Sequence, residues 1–347
     1  MNQLLFRCAA LCLEACLHVR PDEQVVVLAD DTADPALVKA FATAAAAAGA
    51  EPVVTSYRPV RFVSMHIFGH FAAGSMADGT PRLPRPALEA LRAADAAVII
   101  NGDLELLFDP RFLEVAKAET RIGWLPYLDG DAALRLLPGS MDEVRELHDT
   151  TSRIGEAIRT GHEVAVTSPA GTDLRLQIGD RRVNWSSGIH EDGKGFGGLE
   201  IWPSGQISTV PNQATAEGTL VIDRSVNVPE FKELLDPIVF TVEAGRVTDV
   251  SGGVEAARLG AFLEDLDHPD VYHLTELGLG TNRKCTAAGR AGPAEDTHTL
   301  GCVSFALGAD VHLGGTVRAP IHLDMTMRQA SLTVDGRRLV EGGRLIP

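Results

Sequence analysis

Apolar positions recur at helical spacing over residues 3–18, with Leu4, Cys8, Cys12 and Cys16 near one stripe. The run Gln24–Ala29 is continuously apolar and reads as a strand. Asp34-Pro35 then opens a helical stretch to about Ala48, and Pro52–Thr55 reads as the next strand. Strand–helix–strand is the pattern of a parallel sheet. It continues with helix over Pro86–Ala94, strand over Ala96–Ile100, helix over Phe112–Ala118, strand over Arg121–Leu125 and a short helix over Ala132–Leu136. Residues 1–140 are therefore predicted to form an α/β domain with a doubly wound parallel sheet.

A charged amphipathic helix, Met141–Arg159, forms the connector over residues 141–162. The texture then changes. Short runs with alternating character appear at Glu163–Thr167, Leu174–Ile178, Leu199–Trp202, Gly218–Ile222, Ile238–Val242 and Arg246–Val250, separated by turns such as Pro169-Ala170-Gly171 and Ala244-Gly245. With one helix at about Val254–Leu266, residues 163–347 are predicted as a mainly antiparallel β (α+β) domain carrying the chemistry.

A chain of 347 residues suits two cores, and 45% hydrophobic with 22% charged residues is globular composition. The formal net charge of -16 argues against a nucleic-acid partner. Cys8, Cys12, Cys16, Cys285 and Cys302 are odd in number and irregular in spacing, which points to free thiols and a reducing, cytoplasmic setting. The first three read as small residues packing a helix rather than as a metal or redox cluster. No stretch is long and apolar enough to span a membrane, and Met1–Val19 lacks the basic start of a signal peptide.

The chemistry concentrates late in the chain. His322 and Asp324 flank one residue on a predicted strand, so they project from the same face and can grip one metal ion. Glu276 lies between Leu274 and Leu277, where an unpaired carboxylate would be costly. A metal, or an arginine such as Arg318 or Arg283, must compensate it, and the residues alone leave both open. Arg318, beside the His-x-Asp pair, is a candidate for binding a small anion. His66 and His70 have helical chelate spacing but no adjacent glutamate, and read as packed histidines. The loop Ala29–Asp34 lacks a G-x-G-x-x-G pattern, so no dinucleotide is inferred. His190, Glu191 and Asp192 sit in a glycine-rich loop. It reads first as solvated surface, and as a lid it would bring His190 and Glu191 to the chemistry. An aromatic wall for a substrate would rest on Trp185, Trp202, Tyr272 or a phenylalanine.

Four segments carry a resemblance: GTDLRL at 171–176, the Pro-Ser-Gly at 203–205, ELGLGTN at 276–282, and GGTVRAPIHLD at 314–324. They are similar to the M29 family of metalloaminopeptidases, the aminopeptidase T group. The chain also resembles an offshoot of that family, the 2,5-dihydroxypyridine ring-cleaving dioxygenases, in WPSG, AEGTLVID and HPDVY. The resemblance implies Glu276, His322 and Asp324 as metal ligands. The peptidase pattern has a further Glu where this chain has Gln206, and a His where it has Ser304. The dioxygenase pattern has a His where this chain has Glu276. His298 is a candidate substitute for the ligand absent at Ser304 and for contact with substrate. Glu217 matches a polar residue of the dioxygenases and is a candidate general base, or a strand-end ion pair.

A two-metal bridge needs about five or six protein ligands, and the matched set supplies three, so one divalent ion (zinc, iron(II) or manganese) is expected. The carboxylate-rich set leads to the first expectation, a metal-dependent hydrolase of a small amide or peptide-like C–N substrate, with Glu217 or Glu191 moving the proton. The alternative is a mononuclear iron(II) dioxygenase opening a hydroxylated N-heterocycle. A second alternative is a binding homologue that kept the fold. The resemblance further implies a homodimer acting on a small molecule.

Overall fold

The computed structural model describes residues 2–58, 83–102, 104–116, 120–179, 181–191, 199–228, 231, 233–286 and 293–346. His66 and His70, and the loop from Asp192 to Gly198, lie outside the described residues.

The chain opens with α1 (Gln3–Leu11), which continues into a π-helical turn at Cys12–Cys16 closed by Leu17 N–H to the Cys12 carbonyl at 2.9 Å. Cys8, Cys12 and Cys16 are buried there as free thiols. Then come β1 (Gln24–Asp30), α2 (Pro35–Ala47), β2 (Glu51–Tyr57), α3 (Arg85–Arg92), β3 (Ala96–Asn101), α4 (Pro110–Ala116), β4 (Arg121–Pro126) and α5 (Gly130–Leu136). Asp34 caps α2 by accepting from Ala36 N–H at 2.8 Å, with Pro35 in the first turn, where its missing N–H costs nothing. β1, β3 and β4 are buried on both faces, which is why they read as unbroken apolar runs. β2 is the edge strand and leaves Val53 and Val54 exposed.

After α6 (Met141–Arg159), capped by Ser140, the strands shorten: β5 (Glu163–Thr167), β6 (Asp173–Gln177), β7 (Val183–Ser186), β8 (Leu199–Ile201), β9 (Gln206–Thr209), β10 (Glu217–Ile222), β11 (Ser225–Val226), β12 (Ile238–Glu243) and β13 (Arg246–Gly252). Next are α7 (Val254–Asp265), β14 (Leu274–Gly280), α8 (Pro293–His298), β15 (Val303–Gly308), β16 (His322–Thr326), β17 (Ser331–Val334), β18 (Arg337–Glu341) and β19 (Arg344–Leu345).

Three sheets result. The first is parallel, in the order β2-β1-β3-β4-β8, with helices on both faces. Two antiparallel sheets follow, β13-β12-β10-β6-β5-β17-β18-β19 and β11-β16-β15-β14-β9-β7. The α/β region and the separate antiparallel sheets match the predicted layout. One strand departs from it. Leu199–Ile201, expected among the antiparallel strands, pairs in parallel with Ile122–Trp124 of β4. Its Leu199 and Ile201 side chains join the core with Trp124, so the apolar edge of the parallel sheet captures it. Among the described residues, no helix is long and apolar enough to cross a membrane.

β8 also carries a buried acid. Glu200 is 2% exposed and accepts hydrogen bonds from the Ser186 hydroxyl and from Gly188 N–H, at 2.8 Å for the latter. A second buried carboxylate, Glu295 of α8, accepts two bonds from Arg135 of α5, at 2.5 and 2.8 Å, and two more from Thr286. It ties the antiparallel part to the parallel part.

Burial raises the Glu200 pKa from 4.5 to about 7, against the opposing effect of its hydrogen bonds. The folded chain then holds this proton more tightly than the unfolded chain. Stability from it is complete below pH 4.5 and is lost as pH rises through 7. Between pH 5 and pH 8, urea unfolding of wild type should lose about 2–3 kcal/mol relative to Glu200→Gln; parallel pH profiles for the two would refute this. Replacing Arg135 with Ala strands Glu295 and should cost about 2 kcal/mol in the same measurement, less than for a fully enclosed pair because the arginine is partly solvated.

Candidate metal centre

β14, β15 and β16 lie side by side, and their register decides which side chains meet. Glu276 pairs with Ala306, and Ala306 with Asp324; Gly308 pairs with His322. In an antiparallel pair, residues directly opposite share a face. Glu276, Ala306, Asp324, His322 and Gly308 therefore share one face, and the next row, Ser208-Gly278-Ser304-Thr326, extends it. The opposite face holds Leu277, Leu279, Phe305, Leu323 and Met325, all in the core. Strict alternation thus builds an apolar side and a polar side from the same strands.

On the polar side the three side chains converge. His322 Nε2 lies 3.1 Å from Glu276 Oε2 and 3.4 Å from Asp324 Oδ1. Glu276 and His322 are buried and Asp324 nearly so. His322 Nδ1 is 2.7 Å from the Ala309 carbonyl. A carbonyl only accepts, so Nδ1 carries a hydrogen and Nε2 is the atom that faces the carboxylates, protonated toward them unless a cation takes the proton's place. Burial disfavours charge on this ring, yet Asp324 and Glu276 hold its pKa well above the usual histidine range. Among the described residues His322 is the sole ionic partner of either carboxylate. Arg283 pairs with Glu146 instead, and Arg318 is exposed. Two buried carboxylates facing one imidazole are short of positive charge, and a divalent cation would supply it. The donor set fits such an ion, which Glu276, His322 and Asp324 could hold.

Small residues make the convergence possible. A Cβ on Gly278 would lie 2.2 Å from Ser304 Oγ and 3.4 Å from Glu276 Oε1. The Ser304 hydroxyl is buried on this floor with no hydrogen-bond partner among the described residues. His312 packs edge-on against His322, with ring centroids 4.5 Å apart. Burial, and then the neighbouring His322, push its pKa well below the usual value.

The other predicted site residues lie outside this cluster. Glu217 begins β10 on the other antiparallel sheet, is exposed, and accepts from Ala244 N–H at 2.7 Å, which is a hairpin contact. His190 donates its backbone N–H to the Cys16 carbonyl at 2.7 Å and borders a surface hollow with His18, Arg20 and Arg121; Glu191 follows it, half-buried. Trp202 is a core residue stacked on Phe41 at 6.1 Å and borders a cavity of about 110 Å³ with Cys16, Val144 and Leu147. His298 ends α8, buried, with Nδ1 3.2 Å from Thr297 Oγ1.

Sequence reasoning missed the donors around the ligands. Ser208 Oγ donates to Glu276 Oε1 at 2.6 Å, Gln206 Nε2 lies 3.5 Å from the same oxygen, and Asn227 Nδ2 is 3.3 Å from Asp324 Oδ2. The available signal was polar residues alternating along β9 opposite the glycines of β14.

Comparison with known proteins separates the two reactions expected from the sequence. The chain is 29% identical over 267 residues to the 2,5-dihydroxypyridine 5,6-dioxygenase of Pseudomonas putida, covering 75% of this chain and 74% of that protein. The solved structure of the 2,5-dihydroxypyridine dioxygenase from Pseudomonas putida KT2440 superposes with a TM-score of 0.85 at 24% identity, over 100% of this chain and 98% of that one. AmpT from Thermus thermophilus superposes with a TM-score of 0.66 at 15% identity, over the whole of both chains. Both superpositions show a shared fold. The hydrolase expectation is corrected by the sequence matches, which fall on the dioxygenase side. It rested on Glu276, and one carboxylate in a ligand set does not fix the reaction. The family model for NicX, 2,5-dihydroxypyridine 5,6-dioxygenase, matches residues 5–347, and the chain belongs to this family of enzymes.

Proposed function

We propose that this protein is a mononuclear non-haem iron(II) dioxygenase that opens the ring of a hydroxylated pyridine. The observation that carries the reading is the set of three facing atoms, Glu276 Oε2, His322 Nε2 and Asp324 Oδ1, in a chain matched along nearly its whole length by the dioxygenase family. One imidazole and two carboxylates on one side of an ion leave positions for other groups, as in the facial sites of non-haem oxygenases. Iron(II) held there would supply the one-electron chemistry that joins dioxygen to an electron-rich ring.

The protein's own contribution is orientation and charge. The Ala309 carbonyl fixes the His322 tautomer, so Nε2 points into the site without a proton when a cation is present. Glu276 and Asp324 together neutralise a dication, so this centre favours a substrate of low net charge more than a one-carboxylate site would. Gly278, Ala306 and Gly308 add no bulk to the floor, which leaves room for a flat ring over the ligand atoms. The Ser304 hydroxyl offers that ring a donor and an acceptor.

Protein purified without oxygen and loaded with iron(II) should bind one equivalent and consume oxygen with 2,5-dihydroxypyridine. One equivalent of zinc with no oxygen uptake on any hydroxylated pyridine would sink the reading. Removing the metal with a chelator should abolish uptake, and iron(II) should restore it. His322→Ala should lower both metal retention and uptake by more than about 100-fold, beyond the range for residues that merely surround a ligand.

A further inference from the structure

Each carboxylate of the centre is held by one oxygen and free at the other. Glu276 Oε1 receives Ser208 Oγ at 2.6 Å, with Gln206 Nε2 at 3.5 Å, while Oε2 faces His322. Asp324 Oδ2 has Asn227 Nδ2 at 3.3 Å, while Oδ1 faces His322. The backbone reinforces the second arrangement, because Asn227 N–H also donates to the Asp324 carbonyl at 2.8 Å. The first depends on two glycines. On the β14 side Ser208 stands opposite Gly278, and Gln206 opposite Gly280, so no side chain there blocks either from reaching along the sheet to Glu276. Ser208 is fully buried and Gln206 nearly so, and neither is displaced by solvent.

We propose that Ser208, Gln206 and Asn227 are positioning residues that confine Glu276 and Asp324 to one-oxygen coordination of the ion. This rests on the metal reading above and extends it. A carboxylate is free to bind through one oxygen or two. A donor fixed on one oxygen competes with the ion for that oxygen, and a charge-assisted hydrogen bond in a buried setting competes strongly. Holding both carboxylates to one atom each keeps the protein's share of the coordination sphere at three. The rest stays open to water, and then to substrate and dioxygen together. Gln206 fits the role because its amide donates where a carboxylate would only accept.

The test uses manganese(II) added to metal-free protein, with affinity read by electron paramagnetic resonance and bound water read by proton relaxation. Wild type should bind one ion with about three exchangeable waters, as expected for a six-coordinate ion with three protein ligands. Ser208→Ala and Asn227→Ala should each lower relaxation per bound ion by about a third, one water lost as the freed carboxylate closes on the ion. Ser208→Thr should restore the water count. Melting temperatures within a few degrees of wild type would show that the variants fold. Unchanged relaxation in both alanine variants overturns the proposal, whatever the affinities. Failure of wild type to bind manganese(II) or iron(II) overturns the metal reading instead, so the two failures are distinct.

Discussion

Two carboxylates lie within 3.4 Å of one imidazole on a buried sheet face, and much of the architecture follows from that choice. Burying such groups is unfavourable unless each lone pair and each charge is answered. The answer comes from three directions. The Ala309 carbonyl accepts the hydrogen bond of His322 Nδ1, the side chains of Ser208, Gln206 and Asn227 serve the outer oxygens, and a cation would serve the inner atoms. The sheet that carries them must be polar on one face and apolar on the other. Leu277, Leu279, Phe305, Leu323 and Met325 supply the apolar face by alternation along the same strands.

Much of this was legible in the sequence. Central parallel strands are buried on both sides, so β1, β3 and β4 appeared as unbroken apolar runs. His322 and Asp324 were placed on one face by strand periodicity alone, and Glu276 stood out as a carboxylate in apolar surroundings. The outer donors were not legible. Ser208 and Asn227 are ordinary polar residues whose role comes from register across strands distant in sequence, which no local pattern encodes. Glu217 left two readings for the related reason that a charged residue at a strand start looks the same whether it serves catalysis or a hairpin. Leu199–Ile201 was placed in the wrong sheet because three apolar residues carry no information about their partner.

The scaffold is shared by a dioxygenase and by AmpT, so the fold alone is silent about the reaction. Gln206 and Ser304 carry hydrogen-bond donors but are poor ligands beside carboxylates and imidazole. They leave the floor polar. A face of this kind can change its chemistry while the strands beneath it, and the core they pack against, stay as they are.

The short strand β8 has a consequence for how the molecule is made. It belongs by sequence to the later half of the chain, yet it completes the edge of the sheet formed by the earlier half. During synthesis, the parallel sheet cannot be finished when Pro126 or Leu136 has left the ribosome. It waits for Ile201, and with it for Glu200, which docks against Ser186 and Gly188 on the neighbouring sheet. The first half therefore matures only as the second begins to fold. Neither half is a contiguous stretch of chain that could be exchanged between proteins as a cassette, so the α/β layer and the sheet that carries Glu276, His322 and Asp324 are bound to be inherited together.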